Sequence, residues 1–243
     1  MKGLKAVYSV YAGVVFVLIM LILFPFSIIA SFFGRIRGGN LIMGLCRIWA
    51  DSWFFLVGIR VKKIYETPHN KKTACIFVSN HKSYLDAAII PKAFRQPIRP
   101  LGKVEMSRIP VFGFMYRNAI VTVDRSSPAH RAKSVLILKS LIKKGISVLV
   151  FPEGTFNMTE KPLKEFYEGA FRVAIETQTP IKPVIFLDSY RRMPYENLFR
   201  MTPGRCRILY LEEIQVEGLT TADVTALKEK VYGIMEKALK ERE

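Results

Sequence analysis

Hydrophobic and polar positions divide the chain into an apolar beginning and a longer part in which short apolar runs alternate with amphipathic ones. Residues 6–33 contain no charged side chain. A helix needs roughly 20 apolar residues to cross the hydrocarbon of a bilayer, so this run of about 28 predicts a membrane segment. It is too long for a secretory h-region, and no small-x-small cleavage site stands out near Ala30. Pro25 and Ser27 are expected to bend it. Lys2 and Lys5 precede the run and Arg35 and Arg37 follow it, so the charge bias that orients a single span is balanced. Residues 41–57, LIMGLCRIWADSWFFLV, place Arg47 and Asp51 among aromatic and aliphatic side chains. This pattern predicts an interfacial or re-entrant helix packing back on the first one, with an ordinary core helix as the alternative.

A charged stretch at 58–72 leads into the domain through residues 67–70, a turn-rich linker, and beyond it the period changes. Ala74, Ile76, Phe77 and Val78 read as a buried strand. The chain then turns polar through residues 79–83, and Ser83 with Asp86 reads as a capping box opening a short helix through residues 87–90, which Pro91 ends or kinks. Strands are expected at 98–103, 119–123, 146–151, 181–187 and 207–211. Helical turns are expected at 109–116 and helices at 166–178 and from Thr221 onward, where Val224, Leu227, Val231 and Met235 face inward. Between two of the strands, Ser127-Pro128 starts a further helix that Gly145 stops. Strands alternating with helices predict an α/β fold: a mainly parallel central sheet flanked by helices, preceded by an N-terminal membrane-associated helical segment. The expected division is residues 1–60 for that segment and 61–243 for the α/β domain.

Composition narrows the partners. Half of the 243 residues are hydrophobic, yet the formal net charge is +17. A chain both apolar and basic suits anionic membrane lipids, whose surface attracts each nearby Lys or Arg by about 1 kcal/mol. The usual nucleic-acid modules are absent from the sequence, so nucleic acid is not an expected partner. Cys46, Cys75 and Cys206 are odd in number and far apart, which fits neither a disulfide framework nor a zinc site and agrees with a reducing compartment.

The chemistry-bearing stretch is Asn80, His81 and, five residues after the histidine, Asp86. That spacing puts the two side chains on opposite faces of a strand and roughly 140° apart on a helix, so only a strand-to-helix corner brings them together. A carboxylate on one imidazole nitrogen leaves the other free as a base. Taken alone, H-x-x-x-x-D reads equally as a capping aspartate beside a solvated turn histidine.

Its company is more specific. Downstream come Lys103, Glu105, Ile109-Pro110, Gly113 and Val123-Asp124-Arg125, then the run Phe151-Pro152-Glu153-Gly154-Thr155, then Lys164, Phe166, Gly169-Ala170 and residues 180–184. In that order, from about residue 79 to 184, they resemble the glycerolipid acyltransferases, specifically the 1-acylglycerol-3-phosphate acyltransferase family. The resemblance implies transfer of a fatty acyl group from acyl-CoA or acyl carrier protein to the free hydroxyl of lysophosphatidic acid, forming phosphatidic acid. It requires no cofactor beyond that thioester and no metal. His81 is then the general base and Asp86 its orienting carboxylate, with Lys103, Arg125, Glu153, Gly154 and Thr155 expected to bind substrate: Arg125 on the phosphate, Glu153 on a glycerol hydroxyl. The implied location is the inner or cytoplasmic membrane, with the catalytic domain on the cytoplasmic side. No G-x-S-x-G elbow is present, which agrees with direct attack by the hydroxyl.

One position departs from the family. Many relatives continue E-G-T with arginine and serine, where this chain has Phe156 and Asn157. Lys103, Arg125, Lys164 or the pair Arg191-Arg192 would then have to supply the missing charge. Acylation of another lysolipid headgroup, thioester hydrolysis, and a non-enzymatic basic membrane-binding protein are the other readings.

Overall fold

The short apolar runs become the strands of one sheet in the computed structural model, which describes residues 2–124 and 126–242. In chain order they are β1 (Ile59–Tyr65), β2 (Ile76–Ser79), β3 (Ile98–Lys103), β4 (Val121–Val123), β5 (Ser147–Val150), β6 (Ile181–Phe186) and β7 (Gly204–Tyr210), arranged β1-β7-β6-β2-β5-β3-β4. β2 to β6 run parallel; β7 pairs antiparallel with β6, and β1 parallel with β7, so these last two point the other way. The mainly parallel α/β architecture expected from the sequence is the one observed.

β2, β5 and β6 are buried at every position, as strands covered on both faces must be. Phe77, Leu149, Val184 and Phe186 face one layer of helices, α2 (Gly39–Leu56) and α3 (Leu85–Ala93). Ile76, Val78, Val148, Ile181 and Ile185 face the other, built from α5 (Pro128–Lys143), α6 (Gly169–Thr177) and α8 (Val224–Lys240). Between β3 and β5 the chain also forms α4 (Phe112–Ala119), and after β6 it makes the one-turn α7 (Ser189–Arg192).

The N-terminal run folds as α1 (Lys2–Ser31), an unbroken helix through Pro25, and α2 returns along it. Tyr8 Oη donates to the carbonyl of Val57 (2.5 Å), Trp53 Nε1 to Ala12 (2.8 Å) and Trp49 Nε1 to Phe16 (3.1 Å). One partner's number falls as the other's rises, which is the signature of an antiparallel hairpin. The Phe16 ring sits edge-on to both indoles. α2 has a core face and an exposed apolar face: Ile42, Met43, Ala50 and Phe54 are buried, while Leu41, Ile48, Phe55 and Leu56 are exposed.

Four expectations need correction. The charged stretch 58–72, in which no strand is expected from the sequence, contains β1 at Ile59–Tyr65. Its alternation of outward Arg60 and Lys62 with inward Ile59 and Val61 is broken by Lys63, whose Nζ reaches the carbonyl of Ala93 (2.7 Å). Burial lowers that ammonium to about 8. Pro91 lies inside α3, which continues to Ala93. The helix expected at 166–178 starts at Gly169; Phe166 precedes it and packs its ring on Phe171 and Tyr232. α4, expected over 109–116, starts at Phe112 and follows a 3-10 turn, Val104–Arg108.

Candidate active site

In a parallel sheet, loops leaving the carboxyl ends of the strands converge on one side. The loops after β2 and β5 do so here. Asn80 prolongs the β2–β6 pairing with its side chain: Nδ2 donates to the Phe186 carbonyl (3.2 Å), and Oδ1 accepts from the Phe186 N–H (2.8 Å). This amide fixes the chain direction immediately before His81.

The corner then closes on Asp86, which is fully buried in the first turn of α3. Its Oδ2 meets His81 Nδ1 at 2.8 Å and also accepts the backbone N–H groups of Lys82 (2.9 Å) and Ser83 (3.0 Å). A carboxylate holding two main-chain donors is an acceptor, so the third hydrogen belongs to Nδ1 and the neutral imidazole carries its lone pair on Nε2. Only half of the expected capping box forms: Asp86 Oδ2 accepts the Ser83 N–H, but Ser83 Oγ accepts from Leu85 N–H (3.0 Å) instead of from residue 86, and α3 starts after Tyr84 without a side-chain cap. The Ser83 hydroxyl donates to the carbonyl of Met193 (2.6 Å), tying the corner to the loop after β6.

Glu153 joins this corner to the loop after β5. Its Oε1 accepts the backbone N–H of His81 and its Oε2 that of Lys164, both at 2.8 Å. In return, the N–H of Asn157 donates to the carbonyl of His81 (2.8 Å). The main chain of His81 is therefore clamped on both sides by the segment 153–157. Burial pushes the Glu153 carboxyl up to about 7, against the pull of the two N–H groups. The side chain points into the protein instead of the cleft, so its position is that of a clamp and not of the hydroxyl ligand expected from the sequence.

Aromatic rings complete the surroundings of the imidazole. Phe151 stacks on it at 4.1 Å and 18°, and Phe156 approaches edge-on at 4.3 Å and 68°. Phe156 touches Tyr84 (4.7 Å) and Tyr195 (6.2 Å) in turn. His81 keeps about a fifth of its side chain exposed. Gly154, at φ +74°, turns the chain so that Thr155 is exposed, where its Oγ1 accepts from Lys164 Nζ (3.0 Å).

Lys103 is the exposed last residue of β3. With β5 between β3 and β2 and strands about 4.8 Å apart, it lies two strand spacings along the sheet from the His81 corner, on the same side. Arg125 lies outside the described residues; its neighbour Asp124 accepts from Ser126 N–H and Oγ (3.0 and 2.6 Å). The sequence argument missed Asn80 and Asn157 as scaffolding and the ring contacts of Phe151, Phe156 and Tyr84. Their partners lie up to 106 residues away, and no local pattern announces them.

A buried aspartate on a histidine with one free nitrogen, clamped by a P-E-G-T turn, can deprotonate a hydroxyl that enters the cleft. The family model described as acyltransferase matches residues 59–187, which spans β1, both motifs and β6. The chain belongs to the acyltransferase family. Among the acyltransferases it resembles is the 1-acyl-sn-glycerol-3-phosphate acyltransferase alpha of Mus musculus, 33% identical over 202 residues that cover 81% of this chain and 70% of the mouse protein. The 1-acyl-sn-glycerol-3-phosphate acyltransferase of Haemophilus influenzae is 27% identical, with 82% of each chain covered. The crystal structure of the 1-acyl-sn-glycerophosphate (LPA) acyltransferase from Thermotoga maritima shares the acyltransferase fold: TM-score 0.73 at 20% identity, covering 99% of this chain and 96% of that one.

Proposed function

We propose that this acyltransferase is a 1-acyl-sn-glycerol-3-phosphate acyltransferase: it moves a fatty acyl group from a thioester, acyl-CoA or acyl carrier protein, to the free hydroxyl of lysophosphatidic acid. The observation that carries the mechanism is the 2.8 Å contact from His81 Nδ1 to the buried Asp86. Nε2 takes the hydroxyl proton as the hydroxyl oxygen bonds to the thioester carbonyl carbon. The tetrahedral intermediate then collapses with cleavage of the C–S bond, and the thiolate recovers the proton from Nε2. A thiol of ordinary pKa, near 8.5, leaves readily, so no covalent acyl-enzyme is required.

Charge and hydropathy support a lipid acceptor. α1 is the described helix long and apolar enough to cross a bilayer, with mean hydropathy 2.8 in an 18-residue window within Gly3–Ser31, and the reading includes association with a membrane whose cytoplasmic face the catalytic loops address. The test is thiol release from long-chain acyl thioesters by purified protein in detergent, for wild type and His81→Ala, with and without lysophosphatidic acid. Release that requires both the acceptor and His81 is expected. Release without acceptor would instead identify a thioesterase, and release only with another lysolipid would replace the headgroup while keeping the chemistry.

A further inference from the structure

The acceptor's phosphate calls for cationic donors, and Phe156 presents a ring edge to the imidazole where a charge would serve the headgroup. Resting on the reaction above, we propose that Lys164 and Thr155 form the anion subsite that holds the phosphate monoester of the acceptor. Lys164 is placed for this by its own main chain. Its N–H donates to Glu153 Oε2 while His81 N–H donates to Oε1 of the same carboxylate. Two hydrogen bonds and one carboxylate give a path of roughly 8 Å between the two backbone nitrogens, which a glycerol phosphate can bridge.

The side chain of Lys164 returns over the turn, and its Nζ donates to the exposed Thr155 Oγ1 (3.0 Å). Among the described residues no carboxylate pairs with this ammonium; the two carboxylates of the motifs, Asp86 and Glu153, are fully buried. Nζ and the Thr155 hydroxyl, whose hydrogen is directed at the Phe156 carbonyl (3.5 Å), thus sit side by side on the exposed turn after β5. A phosphate oxygen can accept from both once the hydroxyl turns its hydrogen outward. Lys103, at the end of β3 on the same side of the sheet, adds a second positive charge. Phe156 is left to wall the imidazole, with Tyr84 beside it.

The test compares KM and kcat for lysophosphatidic acid in wild type, Lys164→Met, Lys164→Arg, Thr155→Val and the double variant Lys164→Met/Phe156→Arg. Monoacylglycerol of the same chain length is followed as substrate or competitor. Lys164→Met is expected to raise KM for lysophosphatidic acid about tenfold, the loss of one charge-assisted hydrogen bond, with kcat little changed and the affinity for monoacylglycerol untouched. Lys164→Arg should retain most of the affinity, Thr155→Val should weaken it a few-fold, and a guanidinium at 156 should recover part of what Lys164→Met loses. The Glu153 clamp uses the backbone of Lys164, so these variants keep it, and unchanged melting temperatures verify that. An unaltered KM for lysophosphatidic acid in both Lys164→Met and Thr155→Val overturns the subsite, as does an equal loss for the uncharged acceptor. Failure of the reaction reading looks different: the wild type itself would not turn over lysophosphatidic acid.

Discussion

Each polar atom of His81 other than Nε2 is held. Nδ1 meets Asp86, the backbone N–H meets Glu153, the carbonyl takes Asn157 N–H, and Phe151 covers one ring face. Asp86→Asn would point an amide where three donors now converge on Oδ2, so kcat is expected to fall by about 100-fold or more, while circular dichroism keeps its native shape. Glu153 makes a separate prediction through pH. Its folded pKa, about 7, lies above the ordinary value of 4.5, so the folded protein binds this proton more tightly than the unfolded chain does. Stability from this group is therefore greatest at low pH, declines as pH rises from about 4.5 to about 7, and is level above that window, a change on the order of 3 kcal/mol. Glu153→Gln should remove that slope from denaturant midpoints taken between pH 5 and pH 7.5. It should also lower activity, because an amide nitrogen cannot accept either N–H. A slope that persists in the glutamine variant would locate the titration elsewhere.

At the scale of elements, the helical hairpin is joined to itself by indole N–H groups. Trp53→Phe keeps the ring contacts with Phe16 and Phe54 but leaves the Ala12 carbonyl without its second donor. A loss of about 1 kcal/mol in thermal or denaturant unfolding is expected, and an unchanged midpoint would mean that the bond to Ala12 contributes nothing. Elements with a clean period were legible in the sequence: β5 and β6 as apolar runs, α5 by Ser127 and Pro128 at its start, and the final helix, which Thr220 and Asp223 introduce with a capping box. β1 was hidden because an edge strand shows its charged face, and because Lys63 sends its ammonium to a carbonyl on α3 that only tertiary structure supplies. α3 outlasts Pro91 because it is buried at seven of its nine positions, and packing of that order outweighs the hydrogen bond that a proline removes. The motif residues announced the corner, but not the direction of Glu153. A turn after a strand can aim its carboxylate into the cleft or into the protein, and the deciding partners, the N–H groups of His81 and Lys164, lie 72 residues before it and 11 after it.

The whole molecule is two-sided. Leu4, Val7, Ile22, Ile29 and Phe32 of the N-terminal segment are exposed, as are Phe55 and Leu56 where α2 ends. The loop between β6 and β7 extends this apolar surface: Met201 N–H donates to Ser9 Oγ on α1 (3.0 Å), and Leu198 and Phe199 beside it are exposed. Through Met193 the same loop touches Ser83, one residue past Lys82 in the His81 corner, so the exposed apolar surface is linked to the wall of the site. Lys5, Arg35, Arg37 and Arg200 lie next to these exposed residues in the sequence. Such a face should bind bilayers by two additive terms, apolar burial that salt does not weaken and charge attraction that salt screens within about 10 Å at 0.1 M. Co-sedimentation with neutral and anionic vesicles at rising salt separates them. Neutral vesicles should hold the protein at every salt concentration, and anionic ones should hold it more tightly only at low salt. If high salt released the protein from both, attachment would be electrostatic, and the exposed face of α1 would need a protein partner. Leu198→Ser with Phe199→Ser should leave partition nearly intact, since α1 supplies most of the area, yet should slow acylation of a long-chain acceptor more than of a short-chain, water-soluble one. Equal slowing of both would separate the loop from lipid delivery and confine its role to holding Met193 against Ser83.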